Sequence, residues 1–513
     1  MRRYRVVIVS ITPEIALEGS RIFAGGLGVL EGDKLYGAGD MGLDYVALSL
    51  FYRHGYVSIS FQGLQPSLGP ERQEKSFLEK LTPEEEFVVT LKGNEVIVRP
   101  WVYRYKTAKA VLFEAVCPQW ARKLTERVYL EDGMEETFLK YALLAKAASH
   151  YIRNVIGLEN ISVVDLEESY TALILNTLDL ADRARIIIHT PGPWGHPGFP
   201  GEFIAREFGL FLGDYVSLSE YALSRLKSAI VVSKKQEDVV GKIFPAHAGK
   251  FRGITNGIYL PRWMHPELYK AWRQGVFQRE ILVKARSESR GRLLSLIRSV
   301  KSNVNADGRI IVAWTRRLAR YKRPYFAARF IEENPDVNAF FILAGKPHPR
   351  DNDGLGYLKK FRELDLKLAN TVYLQDYNIE TARLIAQGSD LWLFTPFSGW
   401  EACGTSFMKA QVNGVPVLSS RDGGALEIIE DGVTGWLFGQ DLRDFTNIYT
   451  DPRAGEIDER EYQEFRNKLL WIIDMYQSDP EKYLEISMNA WMKTPGKVDI
   501  AGVLKKYYFE TTT

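Results

Sequence analysis

Residues 309–323, RIIVAWTRRLARYKR, join a short apolar run to a cluster of basic residues. The apolar run has the length and β-branched content of a strand that is buried on both faces, as in a parallel sheet covered by helices. Helical patterns such as residues 135–152 separate such runs, so the sequence predicts an α/β fold with parallel sheets. The other runs of this kind are residues 4–10, 185–189, 229–233, 339–344, 390–395 and 415–419.

Length and charge narrow the classes of protein to consider. The chain has 513 residues, enough for two large domains or three ordinary ones. Lys plus Arg total 66 and Asp plus Glu total 64, and this balance argues against a general nucleic-acid-binding surface. Only Cys117 and Cys403 are cysteines, which excludes a disulfide scaffold and a cysteine-only metal site. The N-terminus reads as a first strand, not a signal peptide, and no apolar stretch reaches membrane-spanning length. We expect a cytoplasmic protein with no metal, membrane or nucleic-acid partner.

The domain organisation follows from a change of pattern near residues 257–260. A strand-and-helix set ends there, a long charged helical stretch follows over residues 271–304, and a fresh strand begins at Arg309. We predict two Rossmann-like domains, over residues 1–258 and 259–485. The last helical segment, residues 486–513, is expected to pack back on the first domain. Two such domains would face a cleft, and ligands of such sheets bind at the carboxyl ends of the strands.

Two segments of the predicted first domain and one at the junction could contribute to a site. FAGGLG at residues 23–28 is a glycine turn before a helical pattern, where backbone N–H groups can approach an anion. The alternative is an ordinary strand-to-helix turn. His189 ends a predicted strand, and a structural histidine is as good an interpretation as a functional one. Asn256, at the domain junction, is either a turn residue or a ligand of a sugar hydroxyl.

The basic cluster after residue 315 predicts an anion site. Five basic residues fall within residues 315–323, directly after a strand. Arg317 and Lys322 could both reach one anion, because guanidinium groups fork onto phosphate oxygens and an ammonium adds a compact charge. The alternative is a solvated basic helix start, which the position after a buried strand makes the weaker interpretation.

A further motif, EACGTSFMKA at residues 401–410, follows the predicted strand 390–395. Gly404 and Thr405 would offer backbone and hydroxyl donors at a helix start. Lys409 lies one turn further, among apolar residues, an environment that suits Schiff-base chemistry. The alternative is a lysine that extends to solvent. Spacing alone favours that alternative.

Taken together, these segments resemble the α-glucan (glycogen, starch, maltodextrin) phosphorylases, most closely their shorter bacterial and archaeal branch. The resemblance runs from about residue 8 to about residue 424. It implies the GT-B fold, with the active site between two Rossmann-like domains. The motifs that carry it, in order, are PEIALE at 13–18, FAGGLGVLEGD at 23–33, YRHGY at 52–56, HTP at 189–191, ITNG at 254–257, residues 317–324, Asp376-Tyr377 and residues 401–414.

The family's chemistry implies a role for each matching residue. It carries pyridoxal 5′-phosphate on the lysine matched by Lys409, and that cofactor's phosphate serves in proton transfer. The reaction is reversible phosphorolysis of an α-1,4-glucan end to α-glucose 1-phosphate, with retention of configuration. The implied partners are therefore the glucan and inorganic phosphate, and a homodimer is common in the family. The resemblance implies that Arg317, Lys322, Gly25 and Gly26 hold substrate phosphate, Arg316, Thr405 and Tyr377 serve the cofactor, and Glu401, Cys403, Gly404, His189 and Asn256 contact glucose.

Three departures from the family pattern keep a rival open. Cys403 stands where the family usually has Ser, and residues 166–170 read LEESY where a histidine is usual. Residues 425–438 instead resemble nucleotide-sugar glycosyltransferases of the same fold, so a glycogen synthase-like glucosyltransferase is the alternative. Many transferases of that class place a second glutamate where this chain has Lys409. A lysine cannot accept a hydrogen bond from a ribose hydroxyl, which favours the phosphorylase. A catalytically inactive carbohydrate-binding relative is a third interpretation.

Overall fold

The computed structural model describes residues 6–510, which divide into two compact units. The N-terminal unit contains the chain up to Tyr56, Pro70–Ile254, and the chain from Leu504 onward. The C-terminal unit contains Val57–Gly69 and Thr255–Val503. The sequence predicted different limits, with breaks after residues 258 and 485, and those limits stay a prediction. Of the predicted first strand, Tyr4 and Arg5 lie outside the described residues.

Strands and helices alternate along most of the chain. The strands are β1 (Val7–Ile11), β2 (Asp44–Leu50), β3 (His54–Gln62), β4 (Gln65–Arg72), β5 (Thr82–Pro83), β6 (Phe87–Leu91), β7 (Asn94–Tyr105), β8 (Ala108–Cys117), β9 (Ile161–Glu167), β10 (Ala184–Ile188), β11 (Gly198–Pro200), β12 (Tyr215–Ser217), β13 (Ala229–Val231), β14 (Phe251–Gly253), β15 (Ile310–Thr315), β16 (Ala339–Ala344), β17 (Thr371–Leu374), β18 (Leu391–Phe394), β19 (Val417–Ser420) and β20 (Gly435–Phe438). The α-helices are α1 (Gly26–Asp40), α2 (Lys75–Leu78), α3 (Gln119–Arg122), α4 (Met134–Tyr151), α5 (Gly201–Phe208), α6 (Leu218–Arg225), α7 (Lys234–Ile243), α8 (Leu260–Trp263), α9 (Pro266–Arg273), α10 (Arg279–Val300), α11 (Pro324–Glu333), α12 (Asn352–Lys367), α13 (Ile379–Gly388), α14 (Ser406–Gln411), α15 (Ala425–Ile428), α16 (Arg453–Ser478), α17 (Pro480–Lys493), α18 (Pro495–Val498) and α19 (Ile500–Tyr508).

The N-terminal unit is built on a ten-stranded sheet in the order β14-β13-β10-β9-β1-β2-β8-β7-β5, with β6 paired to β7. The strands from β14 to β8 are parallel, and β7 pairs antiparallel with β8, β5 and β6. The chain leaves β1 toward β2 on one side and later returns to β9 on the other. The strand order therefore reverses between β1 and β9, where open α/β sheets bind ligands.

The C-terminal unit is built on a six-stranded parallel sheet in the order β17-β16-β15-β18-β19-β20. This is the doubly wound order, with its switch point between β15 and β18. Every residue of β15, β16 and β18 is buried, as the unbroken apolar runs predicted. The α/β fold with parallel sheets that the sequence predicts is confirmed.

One helical prediction was wrong in its extent. Residues 271–304 do not form a single helix, because α9 ends at Arg273 and α10 begins at Arg279. Gly275 lies between them with φ +68°, a conformation that glycine adopts without steric cost and that interrupts a right-handed helix. The predicted C-terminal helical segment is present as α17, α18 and α19.

Among the helices of residues 6–510, none combines the length and the hydropathy needed to cross a membrane. The cytoplasmic location and the homodimer stay predictions.

Candidate active site

The two motif loops of the C-terminal unit follow the strands at its switch point. Arg316 is the first residue after β15, and Glu401 lies in the loop after β18. The Glu401 carboxylate accepts a hydrogen bond from the Lys322 ammonium at 2.6 Å and forms an ion pair with the Arg316 guanidinium at 2.9 Å. The sheet order thus places two predicted phosphate-binding cations on one carboxylate.

Burial makes this ion triangle electrostatically strong. The side chains of Arg316, Lys322 and Glu401 are exposed by only 4%, 10% and 12%. Burial by itself raises the pKa of Glu401, but the charges of Arg316 and Lys322 outweigh it and hold that pKa below its usual range. Arg317 adds to the same lowering, so its charge also reaches the cluster.

Asp422 fixes the loop that carries Glu401. Its carboxylate accepts the backbone N–H of Gly399 at 2.7 Å and that of Glu401 at 2.8 Å. It also accepts the N–H of Gly423 at 2.9 Å. A buried carboxylate with three backbone donors is a rigid anchor, so the position of Glu401 is set before any ligand binds.

Gly404 makes room for the Arg316 guanidinium. That group lies over the Phe394 ring, 3.9 Å from its centroid. A Cβ added at Gly404 would lie 2.6 Å from the Phe394 ring and 2.9 Å from Arg316 Nη2. The other terminal nitrogen, Nη1, is buried and makes no hydrogen bond to any described residue. A buried guanidinium nitrogen without a partner is costly unless a ligand supplies an acceptor.

Lys409 lies on α14, one turn after Thr405, whose carbonyl accepts the Lys409 backbone N–H at 3.3 Å. Its ammonium lies 3.9 Å from the centre of the Trp263 indole. Asn413 donates to the backbone carbonyls of both Lys409, at 2.8 Å, and Trp263, at 3.0 Å, which joins the two segments. The lysine is buried, not extended to solvent as the alternative interpretation required.

Three further predicted residues lie in the same unit. The Tyr377 hydroxyl is 3.3 Å from Thr315 Oγ1, beside Arg316, and burial raises the pKa of Tyr377. Asn256 donates its side-chain amide to the Cys403 carbonyl at 3.1 Å. Burial raises the pKa of the Cys403 thiol far above its usual range, so this cysteine is a neutral packing group, not a nucleophile.

Two backbone N–H groups of the glycine loop in the N-terminal unit already donate to a side-chain carboxylate of the same unit. Gly25 precedes α1, and its N–H donates to Glu14 Oε2 at 3.2 Å. The N–H of Ala24 donates to the same oxygen. The donor that the resemblance assigns to phosphate at Gly25 is therefore used by a buried carboxylate. Gly26 begins α1, and a Cβ there would meet nothing within 4 Å.

His189 is the first residue after β10 and is buried against a carboxylate. Its Nε2 lies 2.6 Å from Glu167 Oε2. Burial lowers the pKa of His189, but the hydrogen bond to Glu167 and its charge outweigh burial and raise the pKa above 6.5. His189 and Glu167 are parts of a larger ionic network in the N-terminal unit.

Sequence reasoning missed several residues that shape these sites. Glu31 and Lys34 lie in a helix that is otherwise mostly buried. Charged residues among the glycines and apolar residues of that segment were the sequence signal that could have identified them. Trp263 and Asp422 contact the predicted residues from distant segments, and nothing in the local pattern pairs them with Lys409 or Glu401.

Comparisons with known proteins agree with the fold. Residues 298–445 match the family model described as "Glycosyl transferases group 1". A maltodextrin phosphorylase of Thermococcus litoralis is 26% identical over 89% of this chain and 66% of its own length. A glycogen phosphorylase of Mycobacterium tuberculosis is 25% identical over 81% of this chain and 60% of its own. A glycogen synthase of Chlamydia trachomatis is 23% identical over 75% of this chain and 79% of its own. The chain spans less than two thirds of the length of either phosphorylase.

The doubly wound sheet and the matched segment define an α/β protein of the glycosyltransferase type. Over residues 298–445 the chain is similar to the group 1 glycosyl transferases, and its two sheets agree with the GT-B fold that the sequence predicts. The resemblance to the α-glucan phosphorylases that its motifs predict is confirmed by relatives with those names, which align over most of the chain.

Proposed function

We propose that this protein is a retaining α-1,4-glucan phosphorylase. A phosphate oxygen would replace the glycosidic oxygen at C1 of the terminal glucose, and the released oxygen would take up a proton. The products are α-glucose 1-phosphate and a glucan shortened by one residue. The observation that carries the proposal is the buried Lys409 on a helix that begins beside Gly404 and the partly unpartnered Arg316 guanidinium.

The residues present fit pyridoxal 5′-phosphate. A buried amine, a guanidinium nitrogen that lacks an acceptor, and a glycine that leaves space beside it are a suitable donor set for an aldehyde that bears a phosphate. Lys409 would hold the ring, and Arg316 and Thr405 would hold the phosphate, with Tyr377 nearby. When bound, the cofactor supplies a phosphate group that exchanges a proton beside the substrate phosphate.

The other residues act on the substrate in this proposal. Lys322 and Arg317 hold inorganic phosphate, since two adjacent phosphates need compensating cations. Glu401 aligns Lys322 and Arg316 through its two oxygens and contacts the glucose. His189, Asn256, Cys403, Gly404 and Gly26 keep the substrate-binding roles that the resemblance implies, as part of the proposal. For Gly25 to bind phosphate, its N–H would have to exchange the Glu14 carboxylate for the substrate.

A nucleotide-sugar glucosyltransferase is the second candidate. It is favoured by the match to a glycogen synthase, of which this chain covers 79%, more than it covers of the phosphorylases. Lys409 argues against this candidate. Its ammonium has no acceptor atom, so it cannot accept the hydrogen bond of a ribose hydroxyl as the second glutamate of such transferases does.

The deciding experiment is borohydride reduction of the purified holoprotein, followed by peptide mapping around Lys409. A reduced pyridoxyl phosphate adduct on Lys409, lost in Lys409→Ala, supports the phosphorylase. No adduct in protein made with ample cofactor would overturn it, and UDP-glucose and ADP-glucose would then be screened as donors.

A functional assay completes the test. Maltodextrin plus phosphate should yield glucose 1-phosphate, and Lys409→Ala should lose this activity. Lys322→Ala should weaken the use of phosphate far more than the binding of glucan. Lys493→Ala, at an exposed lysine paired with Glu430, is the matched control and should change neither.

A further inference from the structure

The N-terminal unit contains a buried ionic network of which the proposed reaction and the resemblance use only His189. Its members lie at the switch point of the ten-stranded sheet. Glu167 ends β9 and His189 follows β10, while Glu31 and Lys34 lie on α1. All four residues are almost completely buried, with side-chain exposures from 0% to 9%.

The contacts form a chain in which Glu167 is central. Its Oε2 lies 2.6 Å from His189 Nε2, and its Oε1 lies 2.5 Å from Lys34 Nζ. Lys34 Nζ also lies 2.6 Å from Glu31 Oε1. Ser10 donates to the other oxygen of Glu31 at 2.7 Å. Both Glu167 oxygens thus have cationic or proton-bearing partners, and Ser10 also donates to Oε1 at 3.4 Å, so the carboxylate is fixed from both sides.

The arrangement leaves one nitrogen of the histidine for a ligand. Nε2 is committed to Glu167, while Nδ1 makes no hydrogen bond to any residue in the described part of the chain. A carboxylate partner favours the tautomer with the proton on Nε2, and after a second protonation Nδ1 becomes a donor. His189 ends a strand at the edge where such sheets bind ligands.

We propose that Glu167, braced by Lys34, is a positioning residue that holds His189 so that Nδ1–H donates to a hydroxyl oxygen of the bound sugar. This rests on the proposed function, because the sugar is the glucan end of that reaction.

Charge balance supports a cationic histidine. Lys34 lies between two carboxylates, so the group lacks one positive charge, which a protonated His189 supplies. The raised pKa of His189 agrees with this. Glu168 also faces His189 and raises its pKa, whereas Lys34 lowers it.

Other charges pack around the network without altering this conclusion. Asp165 and Tyr508 both face Lys34, and Asp165 is itself paired with Arg185 at 2.6 Å. Tyr45 donates to Glu31 at 3.3 Å.

The test is titration of the His189 imidazole by NMR in the full chain, with the resonance assigned through His189→Gln. In the wild type we expect a pKa above 6.5 and the proton of the neutral ring on Nε2. Glu167→Gln keeps the side-chain size but removes the charge, and the His189 pKa should fall by at least about one unit. Glu220→Gln, which removes the carboxylate beside His247, is the matched control and should leave His189 unchanged.

A second variant keeps the test decisive if Glu167→Gln does not fold. Lys34→Met removes a nearby cation, so the His189 pKa should rise. An unchanged His189 pKa in whichever of the two variants folds overturns the proposal, as does a wild-type value at or below 6.5.

Sugar binding is measured on the same samples. Maltodextrin should shift the wild-type Nδ1 resonance, and Glu167→Gln should raise the KM for maltodextrin about tenfold with a smaller change in kcat. A maltodextrin shift that is as large in Glu167→Gln as in the wild type overturns the positioning role. Failure of the proposed function is a different result: the pKa changes appear, maltodextrin binds, and no glucose 1-phosphate forms.

Discussion

The Lys322 ammonium and the Glu401 carboxylate are joined at 2.6 Å, although the two residues lie 79 positions apart in the sequence. The same carboxylate binds Arg316 at 2.9 Å. Glu401 therefore neutralises the cations that would attract phosphate. The cluster is assembled in advance, since its geometry does not depend on an incoming anion.

Glu401→Gln should make the stability of the protein depend on phosphate. The amide keeps the shape but leaves two buried cations without their carboxylate, at a cost of about 3–5 kcal/mol. That cost corresponds to a fall in apparent Tm of about 2–4 °C for each kcal/mol. Added phosphate should restore more of the Tm in Glu401→Gln than it adds to the wild type, because an anion that binds the folded form stabilises it.

Asp353→Asn is the control for Glu401→Gln. It removes an exposed partner of Arg320, which is in the same basic loop, and should leave the phosphate response unchanged. The measurement is the apparent Tm of wild type, Glu401→Gln and Asp353→Asn in thermal scans with and without phosphate. Equal responses in wild type and Glu401→Gln would mean that Glu401 does not compete with anions for Arg316 and Lys322.

Gly404→Ala should displace Arg316. The added Cβ would lie 2.9 Å from Arg316 Nη2 and 2.6 Å from the Phe394 ring, so overpacking should cost about 1–3 kcal/mol. Release of glucose 1-phosphate should fall roughly 100-fold, because a small misplacement of a charged group is costly in catalysis. The control is Gly291→Ala, in open space on α10, which should stabilise the protein by about 0.5–1 kcal/mol. Wild-type activity in Gly404→Ala would remove Arg316 from the mechanism.

Arg323 should be a major determinant of the stability of the C-terminal unit. Its side chain is fully buried, donates to the carbonyls of Thr395 and Pro396, and is paired with the buried Glu461 at 2.7 Å. Arg323→Met would leave Glu461 as an unpaired buried charge, at about 3–5 kcal/mol. Position 323 has a left-handed backbone with φ +51°, which strains arginine and methionine equally. The difference in stability between wild type and Arg323→Met therefore reports on the side chain alone.

Arg329→Met is the matched control for Arg323→Met. Arg329 pairs with Glu459 at the surface, and losing that pair should cost at most about 1 kcal/mol. The double variant Arg323→Met with Glu461→Gln should recover part of the lost Tm. Similar Tm values for the two single variants would contradict the assigned role of Arg323.

The sheets could be predicted because their strands are buried on both faces. In β16 all six residues, Ala339–Ala344, are apolar and buried, so burial leaves an unbroken run in the sequence. Strand β7 was missed because its residues alternate between buried and partly or fully exposed positions, and alternation of this kind is easily lost among loops. The long predicted helix failed at Gly275, where one positive φ decides the local fold.

The candidate sites were predictable only where chemistry is carried by a local motif. Arg316 and Glu401 each stand in a recognisable segment after a strand, and sheet order brought them together. Lys34 and Glu167 lie 133 residues apart, and their pairing depends on how α1 packs over the end of β9. The indole of Trp263 beneath Lys409 is a similar long-range contact, which composition and spacing do not encode.

Glu168→Gln should stabilise the protein in a pH-dependent way. Glu168 is buried, and its Oε2 makes no hydrogen bond to any residue of the described chain, while Oε1 accepts from Thr190 at 2.7 Å. Burial raises the pKa of Glu168 from 4.5 to about 7. Because the folded pKa is the higher one, the folded form is favoured below pH 4.5, and this advantage is lost as the pH rises to about 7. The neutral amide of Glu168→Gln does not titrate. The gain in apparent Tm over the wild type should therefore be larger at about pH 8 than at about pH 5. The difference should correspond to on the order of 1–3 kcal/mol in the free energy of unfolding. Glu95→Gln, at an exposed position of β7, should give the same small change at both pH values. An equal effect of Glu168→Gln at both would show that Glu168 does not change its protonation state between them.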